Sequence, residues 1–346
     1  MRILHLYRPR LPGTRAQALQ VVHTCHALSA RGHHVTLFAD RAAGYIGDGA
    51  DVLSELGLGR LTDLDLRLAP TAWLPGAGLW FRASVKAWCA RGGGVVYARA
   101  KRYVDLVPAR IPVVIEAHEL DSALDREAGR DAAATLGLEE AVFERASGIV
   151  TNCAGTLSVI RERWGTIASV AKGRTIWNAT RADRVRVGVG GGGVGVVGSA
   201  KEYKGVEAVS KAAGLPVVLV GAGGALDGVD ARPAVPYGEV PRVLAAFDVL
   251  LLPLAPNLFG RSLTNPLKLW DYLATDRPLV LPDLPTIREV LATVSGEGIE
   301  LYDATDLATV APALVRARAH GPRRSHLRTW DERAAEIEAY LLEILG

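Results

Sequence analysis

Short apolar runs, each bounded by glycine, proline or charge, recur along the chain and alternate with stretches whose apolar residues return every three or four positions. The runs at 2–7, 34–39, 94–98, 112–117 and 148–152 have the length and the Val/Ile content of strands buried on both faces. Between the first two, residues 17–29 carry an apolar stripe through Leu19, Val22, Cys25 and Leu28. Arg31-Gly32 then supplies a helix stop, a cation followed by glycine. Strand, helix and strand at this spacing predict a βαβ unit and a mostly parallel sheet.

The glycine-rich segment VRVGVGGGGVG at 185–195 breaks this rhythm and reads as an interdomain linker running into a strand. The pattern then restarts, with strands expected at 194–198, 216–221, 249–253 and 278–281 and helices between them. This predicts two doubly wound α/β domains, 1–186 and 187–328, with a deep cleft between them and ligands at the carboxyl ends of the strands. Residues 329–346 follow as a strong helix, with Trp330, Ala334, Ile337, Tyr340, Leu341 and Ile344 on one side.

Composition narrows the picture. In 346 residues, 49% are hydrophobic and 22% charged, enough for packed cores and against general disorder. A net charge of +3 gives no reason to expect a nucleic-acid partner. Cys25, Cys89 and Cys153 have no paired spacing, which argues against a zinc site or a disulfide framework. The opening MRILHLYRPR reads as a first strand rather than a signal peptide, and no run of about 18 apolar residues occurs. A soluble, cytoplasmic protein is expected.

Four segments carry candidate chemistry. After the first strand, Gly13 lets the backbone approach a ligand closely, ahead of helix-terminal amides that favour an anion or a polar sugar; the plain alternative is an ordinary βα turn. His118 ends the strand run IPVVIEA, where a neutral imidazole can donate a hydrogen bond to a substrate hydroxyl; the plain alternative is a histidine satisfied by loop backbone. VVGSAKEYKG at 196–205 combines a strand, a glycine turn and Lys204 at a helix start, which suits a diphosphate, with Lys201 competing for the role. Asn265 and Pro266 open a helix in which Lys268 and Asp271 share a face, and Asp271 can accept hydrogen bonds from ribose hydroxyls.

The order and wording of these segments resemble a retaining glycosyltransferase of family 4. ALSARGHHVTLFA, VVYARAKR, ERASGIVTNCAGTLSVI, WNAT at 177–180 and VVLVGAGG each resemble a family passage, and PLKLWDYLATDRPLVLPDLPTIREVL resembles its P-x-K-x-x-E-Y-x-A-x-G-x-P-V-V signature. The resemblance implies a GT-B fold of two Rossmann-like domains, the C-terminal helix returning to the amino-terminal one. It implies sugar transfer from a nucleotide diphosphate sugar to an acceptor hydroxyl, with no metal and no cofactor beyond that co-substrate. His118 then matches the active-site histidine that contacts the donor sugar. Gly13, Ser199, Lys204, Thr264, Asn265 and Asp271 fall on the donor side, and Arg15 and Glu119 are acceptor-side candidates. Three positions depart from the pattern: Leu263 replaces the first glutamate of the E-x7-E element, Asp271 is shorter than the second, and Ser199 stands where many members carry arginine.

A nucleotide-sugar epimerase of the same fold would need two carboxylates facing the sugar, with Glu116 and Glu119 the nearest to His118. A silent nucleotide-sugar-binding protein is the alternative suggested by Leu263 and Ser199. Residues 73–102 interleave Trp73, Trp80, Phe81, Trp88 and Tyr97 with six cations and no acid, a pattern of peripheral contact with an anionic inner membrane face or a lipid-linked acceptor. The same spacing suits a core helix with solvated cations, the preferred reading.

Overall fold

The computed structural model describes residues 1–13, 15–70, 76–181, 190–199, 205–221 and 226–346. Two compact units emerge. The first comprises Met1–Asn152, Thr156–Trp177 and Trp330–Gly346; the second comprises Cys153–Gly155 and Asn178–Thr329.

The first unit is built on eight parallel strands: β1 (Arg2–Leu6), β2 (Arg10–Leu11), β3 (His34–Arg41), β4 (Leu64–Leu68), β5 (Val95–Ala98), β6 (Val113–Ala117), β7 (Gly148–Thr151) and β8 (Arg174–Thr175). Their order is β2-β3-β1-β5-β6-β7-β8, with β4 also pairing β3. Strands β1, β5, β6 and β7 are almost wholly buried, as the continuous apolar runs require. The sequence pattern missed β4, whose LDLRL alternates and which, at the edge, is only half-buried along its length.

The second unit carries β9 (Val194–Val197), β10 (Val217–Val220), β11 (Val229–Arg232), β12 (Val249–Leu251), β13 (Leu279–Pro282) and β14 (Ile299–Tyr302), parallel and ordered β11-β10-β9-β12-β13-β14. Again the edge strands β11 and β14, with VDAR and IELY, alternate and escaped the pattern. Strand order reverses between β1 and β5 in the first sheet and between β9 and β12 in the second. Those carboxyl ends are where open α/β sheets take ligands.

Helix Trp330–Leu345 belongs to the first unit, packed on helix Ala16–Ala30. Trp330 stacks on His23 with centroids 5.4 Å apart, and the Tyr340 hydroxyl accepts from the Ile149 amide at 2.9 Å. The unit boundary falls after Trp177, nine residues before the one expected at 186. The reason is that 178–180 hydrogen-bond to the 265–271 segment of the second unit.

Trp73 lies outside the described residues. In helix Gly76–Ala90, Phe81 and Trp88 are buried and Trp80 is half-buried, while Arg82 and Lys86 are exposed. Arg2 covers the Trp88 ring at 3.9 Å. Among the described residues no helix is long and apolar enough to cross a membrane.

Candidate functional site

In the second unit the carboxyl end of β9 is shaped by glycine. Gly198 has φ +128°, a conformation other residues rarely adopt, and a Cβ on Gly221 would lie 3.0 Å from the Gly198 carbonyl oxygen. Two backbones therefore meet closely at the tips of β9 and β10, and Ser199 follows exposed. Lys201 and Lys204 lie outside the described residues.

Helix Leu267–Leu273 is fixed against this tip. The buried Tyr272 hydroxyl accepts from the Val197 amide at 2.8 Å, and burial raises its pKa. Buried Arg323, its pKa lowered by burial to about 10, donates to the Tyr272 and Leu273 carbonyls at 2.8 and 2.6 Å, satisfying the end of the helix. Lys268 reaches toward the turn, its Cδ 3.8 Å from where a Gly198 Cβ would stand. Sequence reasoning gave Lys268 only a helix-face pairing; the structure places it beside the glycine turn.

Asp271 is buried, and its Oδ1 accepts from the Thr180 hydroxyl at 2.6 Å. Asn265 Oδ1 accepts from the Asn178 amide at 2.9 Å and from Trp270 Nε1 at 2.7 Å. The WNAT turn and the signature helix, noticed separately in the sequence, are thus one hydrogen-bonded assembly. Thr264 is buried in the same loop, and Leu263 is completely buried, a core residue.

In the first unit Gly13 is set by its own loop, since a Cβ there would lie 2.7 Å from the Arg10 carbonyl oxygen. Arg15 is exposed at the start of helix Ala16–Ala30, with no side-chain cap on that helix. Glu119 is half-buried and accepts weakly from Gln17 Nε2 at 3.4 Å.

His118 is buried, directly after β6. Its Nε2 lies 2.9 Å from Glu116 Oε1, and its Nδ1 lies 3.2 Å from Asn152 Nδ2. Glu116 is 1% exposed inside a central strand and also accepts from Gln20 Nε2 at 2.9 Å and from Arg333 Nη2. Burial alone would raise the Glu116 pKa, but Arg333, then His118 and Arg99, hold it well below the carboxylate range. Burial, followed by the Arg99 charge, lowers His118 to about 4, so the ring is neutral near pH 7. An ionised carboxylate only accepts; Nε2 therefore carries the hydrogen, and Nδ1 accepts from Asn152. The N–H that the sequence reading aimed at a substrate hydroxyl is directed at Glu116 instead.

A second ion cluster, built on buried Glu139, holds the other side of this loop. Lys101 Nζ lies 2.5 Å from Glu139 and 2.8 Å from Asp121, and Glu139 also accepts from the Asp121 amide at 2.8 Å. Lys101, one of the cations of the 73–102 stretch, thus anchors the segment after His118. Glu116 and Arg333 each left a signal in the sequence: a carboxylate inside an apolar strand run, and a cation on the apolar stripe of the last helix. Among the described residues no group of three or more His, Cys, Asp or Glu side chains is placed to hold a metal ion.

Residues 17–184 match the sequence model of Glycosyltransferase Family 4. Comparison with curated proteins gives no match. Among solved structures, sucrose-phosphate synthase from Thermosynechococcus elongatus aligns with a TM-score of 0.69 at 16% identity, over 99% of this chain and 96% of that one. HepE of Anabaena, solved in complex with UDP and glucose, aligns at 0.63 and 15%, over 99% and 97%. UDP-GlcNAc 2-epimerase from Methanocaldococcus jannaschii is more distant, at 0.57 and 9%, over 99% and 100%. At these identities the structural likeness establishes the fold, two parallel-sheet α/β units of the GT-B type. With the family match, it supports a glycosyltransferase of that type.

Proposed function

We propose that this chain transfers a sugar from a nucleotide diphosphate sugar to an acceptor hydroxyl with retention at the anomeric carbon, without a metal or a further cofactor. The observation that carries this reading lies in the second unit. One helix, tied to β9 through Tyr272, presents Lys268 beside the Gly198 turn and Asp271 one turn further on. That is a cation for a diphosphate and a carboxylate for ribose hydroxyls on one rigid element. A cation and backbone donors at a strand tip stabilise the charge that grows on a departing diphosphate. Gly13, Ser199, Lys204, Thr264 and Asn265 complete the donor side, and Arg15 and Glu119 the acceptor side. The UDP and glucose bound by HepE support a nucleoside diphosphate sugar as donor class. In enzymes of this kind the leaving phosphate takes the acceptor proton, so no protein base is assigned.

An epimerase needs a carboxylate able to give and take a proton beside the sugar. Glu116 is bound to Arg333 and held ionised, which favours transfer over epimerisation. The test is incubation with UDP-, GDP-, ADP- and dTDP-sugars, with and without an acceptor panel, in EDTA. Acceptor-dependent nucleotide release, with the donor's anomeric configuration kept in the product by NMR, is expected. An epimerised donor, or binding without turnover, would overturn the reading.

A further inference from the structure

The buried network of the first unit joins residues that sequence places far apart: Arg333 and Glu116 are separated by 217 positions. Arg333 is fully buried, and each side of its guanidinium is used. Nη1 donates to Thr24 Oγ1 at 2.8 Å, Nε to the Trp177 carbonyl at 3.0 Å, and Nη2 to Glu116. The carboxylate so placed faces His118 Nε2 at 2.9 Å. Gln20 cannot exchange its role, because its Nε2 is on Glu116 and its Oε1 accepts from Arg99.

We infer that Arg333, acting through Glu116, is a positioning residue that fixes His118 as the neutral Nε2–H tautomer, so that His118 meets a ligand with Nδ1 as a hydrogen-bond acceptor. Nδ1 is held by the longest of these contacts, the 3.2 Å bond from Asn152, whose own buried Oδ1 has no partner among the described residues. A hydroxyl group that donates can take the place of the Asn152 amide at Nδ1. A phosphate or carbonyl oxygen cannot, because neither has a hydrogen to give. The ligand class at this nitrogen is therefore a hydroxyl donor, such as a sugar.

The titratable and charged groups facing His118 are His5 from β1, Arg99 after β5, Glu116 from β6 and Arg333 from the last helix. Two guanidinium groups against one carboxylate oppose a third positive charge on the ring. Removing Arg333 alone should raise the His118 pKa, since one of the opposing charges is gone. The ring would then take a proton at Nδ1 at a higher pH than in the wild type, turning the acceptor into a donor.

This inference rests on the proposed function only for its effect on turnover; the tautomer is measurable with no substrate. Protein labelled with ¹⁵N-histidine, with His118 assigned by its substitution, would show which ring nitrogen bears hydrogen across pH 4–8. The expected result is Nε2–H in the wild type, and in Arg333→Met a raised His118 pKa. Because Arg333→Met strands a buried carboxylate, Glu116→Gln/Arg333→Met is made beside it, since removing both charges of a buried pair is often tolerated. That double variant should fold, lose the fixed tautomer, and turn over about 10–100-fold more slowly with bare-nucleotide affinity unchanged. Hydrogen on Nδ1 of His118 in the wild type overturns the inference. So does a double variant with wild-type turnover. Absence of turnover with every nucleotide sugar strikes the proposed function and leaves the NMR measurement to decide the tautomer.

Discussion

Asn178 and Asn265 are bound to each other twice: the Asn178 amide donates to Asn265 Oδ1 at 2.9 Å, and Asn178 Nδ2 donates to the Asn265 carbonyl at 2.6 Å. The second unit thus closes its chain start onto the helix that carries Lys268 and Asp271. Trp270 Nε1 shares the same Oδ1. Asn265, expected on sequence grounds to touch the donor, has its side-chain oxygen committed to the fold.

Asn265→Ala should therefore act first on stability. It strands the buried Asn178 amide and the Trp270 indole N–H, each worth about 1–3 kcal/mol when left unsatisfied. Urea denaturation is expected to show a lower midpoint with the same slope. A midpoint equal to the wild type would mean that water satisfies both donors.

Asp271→Asn separates fold from ligand. The amide oxygen can still accept from Thr180, so the 2.6 Å bond and the melting temperature should survive. The other oxygen becomes an N–H₂ group and stops accepting. Nucleoside diphosphate affinity should fall by about 1.5–3 kcal/mol, the range for hydrogen bonds to a charged group. Titration calorimetry checks this, with a 2′,3′-dideoxy nucleotide as control. Equal wild-type affinity for the ribose and dideoxy forms would remove Asp271 from the ribose.

Central strands were legible because they are buried on both faces and read as unbroken apolar runs. β4, β11 and β14 were not, because an edge strand alternates over too few residues to stand out from a loop. The site was legible in the same uneven way. His118, Asn265 and Asp271 announced themselves as polar residues at strand ends and helix starts. Their partners did not: Thr180 lies 91 positions from Asp271, and Arg333 lies 217 from Glu116. Contacts at such separation depend on the whole topology. Hence the direction in which the His118 ring donates could not be read from its neighbours.

Acid should loosen the first unit before its carboxylates titrate. His5 and His118 are both lowered by burial to about 4, whereas an exposed or unfolded histidine titrates near 6.5. Between those values the unfolded chain binds more protons than the folded one. Stability is therefore full above about pH 6.5 and is lost as pH falls toward 4, by an amount on the order of a few kcal/mol. Neither ring nitrogen of His5 has a hydrogen-bond partner among the described residues, so His5→Leu removes one of these groups without breaking a hydrogen bond seen there. The variant should lose less stability than the wild type between pH 7 and 5. Parallel melting curves for the two proteins would contradict a depressed His5.

His118→Ala is expected to strike turnover and spare the nucleotide. With the ring gone, Glu116 keeps its bonds from Arg333 and Gln20, so the carboxylate is not stranded. Asn152 loses the Nδ1 acceptor, a cost of about 1 kcal/mol, and the fold should persist by circular dichroism. A contact from Nδ1 to a sugar hydroxyl should matter most as the sugar ring flattens and positive charge grows at the anomeric carbon, because a contact that strengthens in the transition state raises the rate rather than the affinity. Loss of one such contact is worth about 1.5–3 kcal/mol, the range for a hydrogen bond to a group bearing charge, or roughly ten- to a hundredfold in rate. Bare UDP or GDP carries no sugar, so its dissociation constant should stay within about twofold, an energy below 0.5 kcal/mol. Single-turnover transfer, nucleotide titration and circular dichroism on the same preparation separate these effects. An intact variant that transfers at the wild-type rate would leave His118 as a packed loop residue and move the search for the sugar-facing group to Glu119 and Arg15.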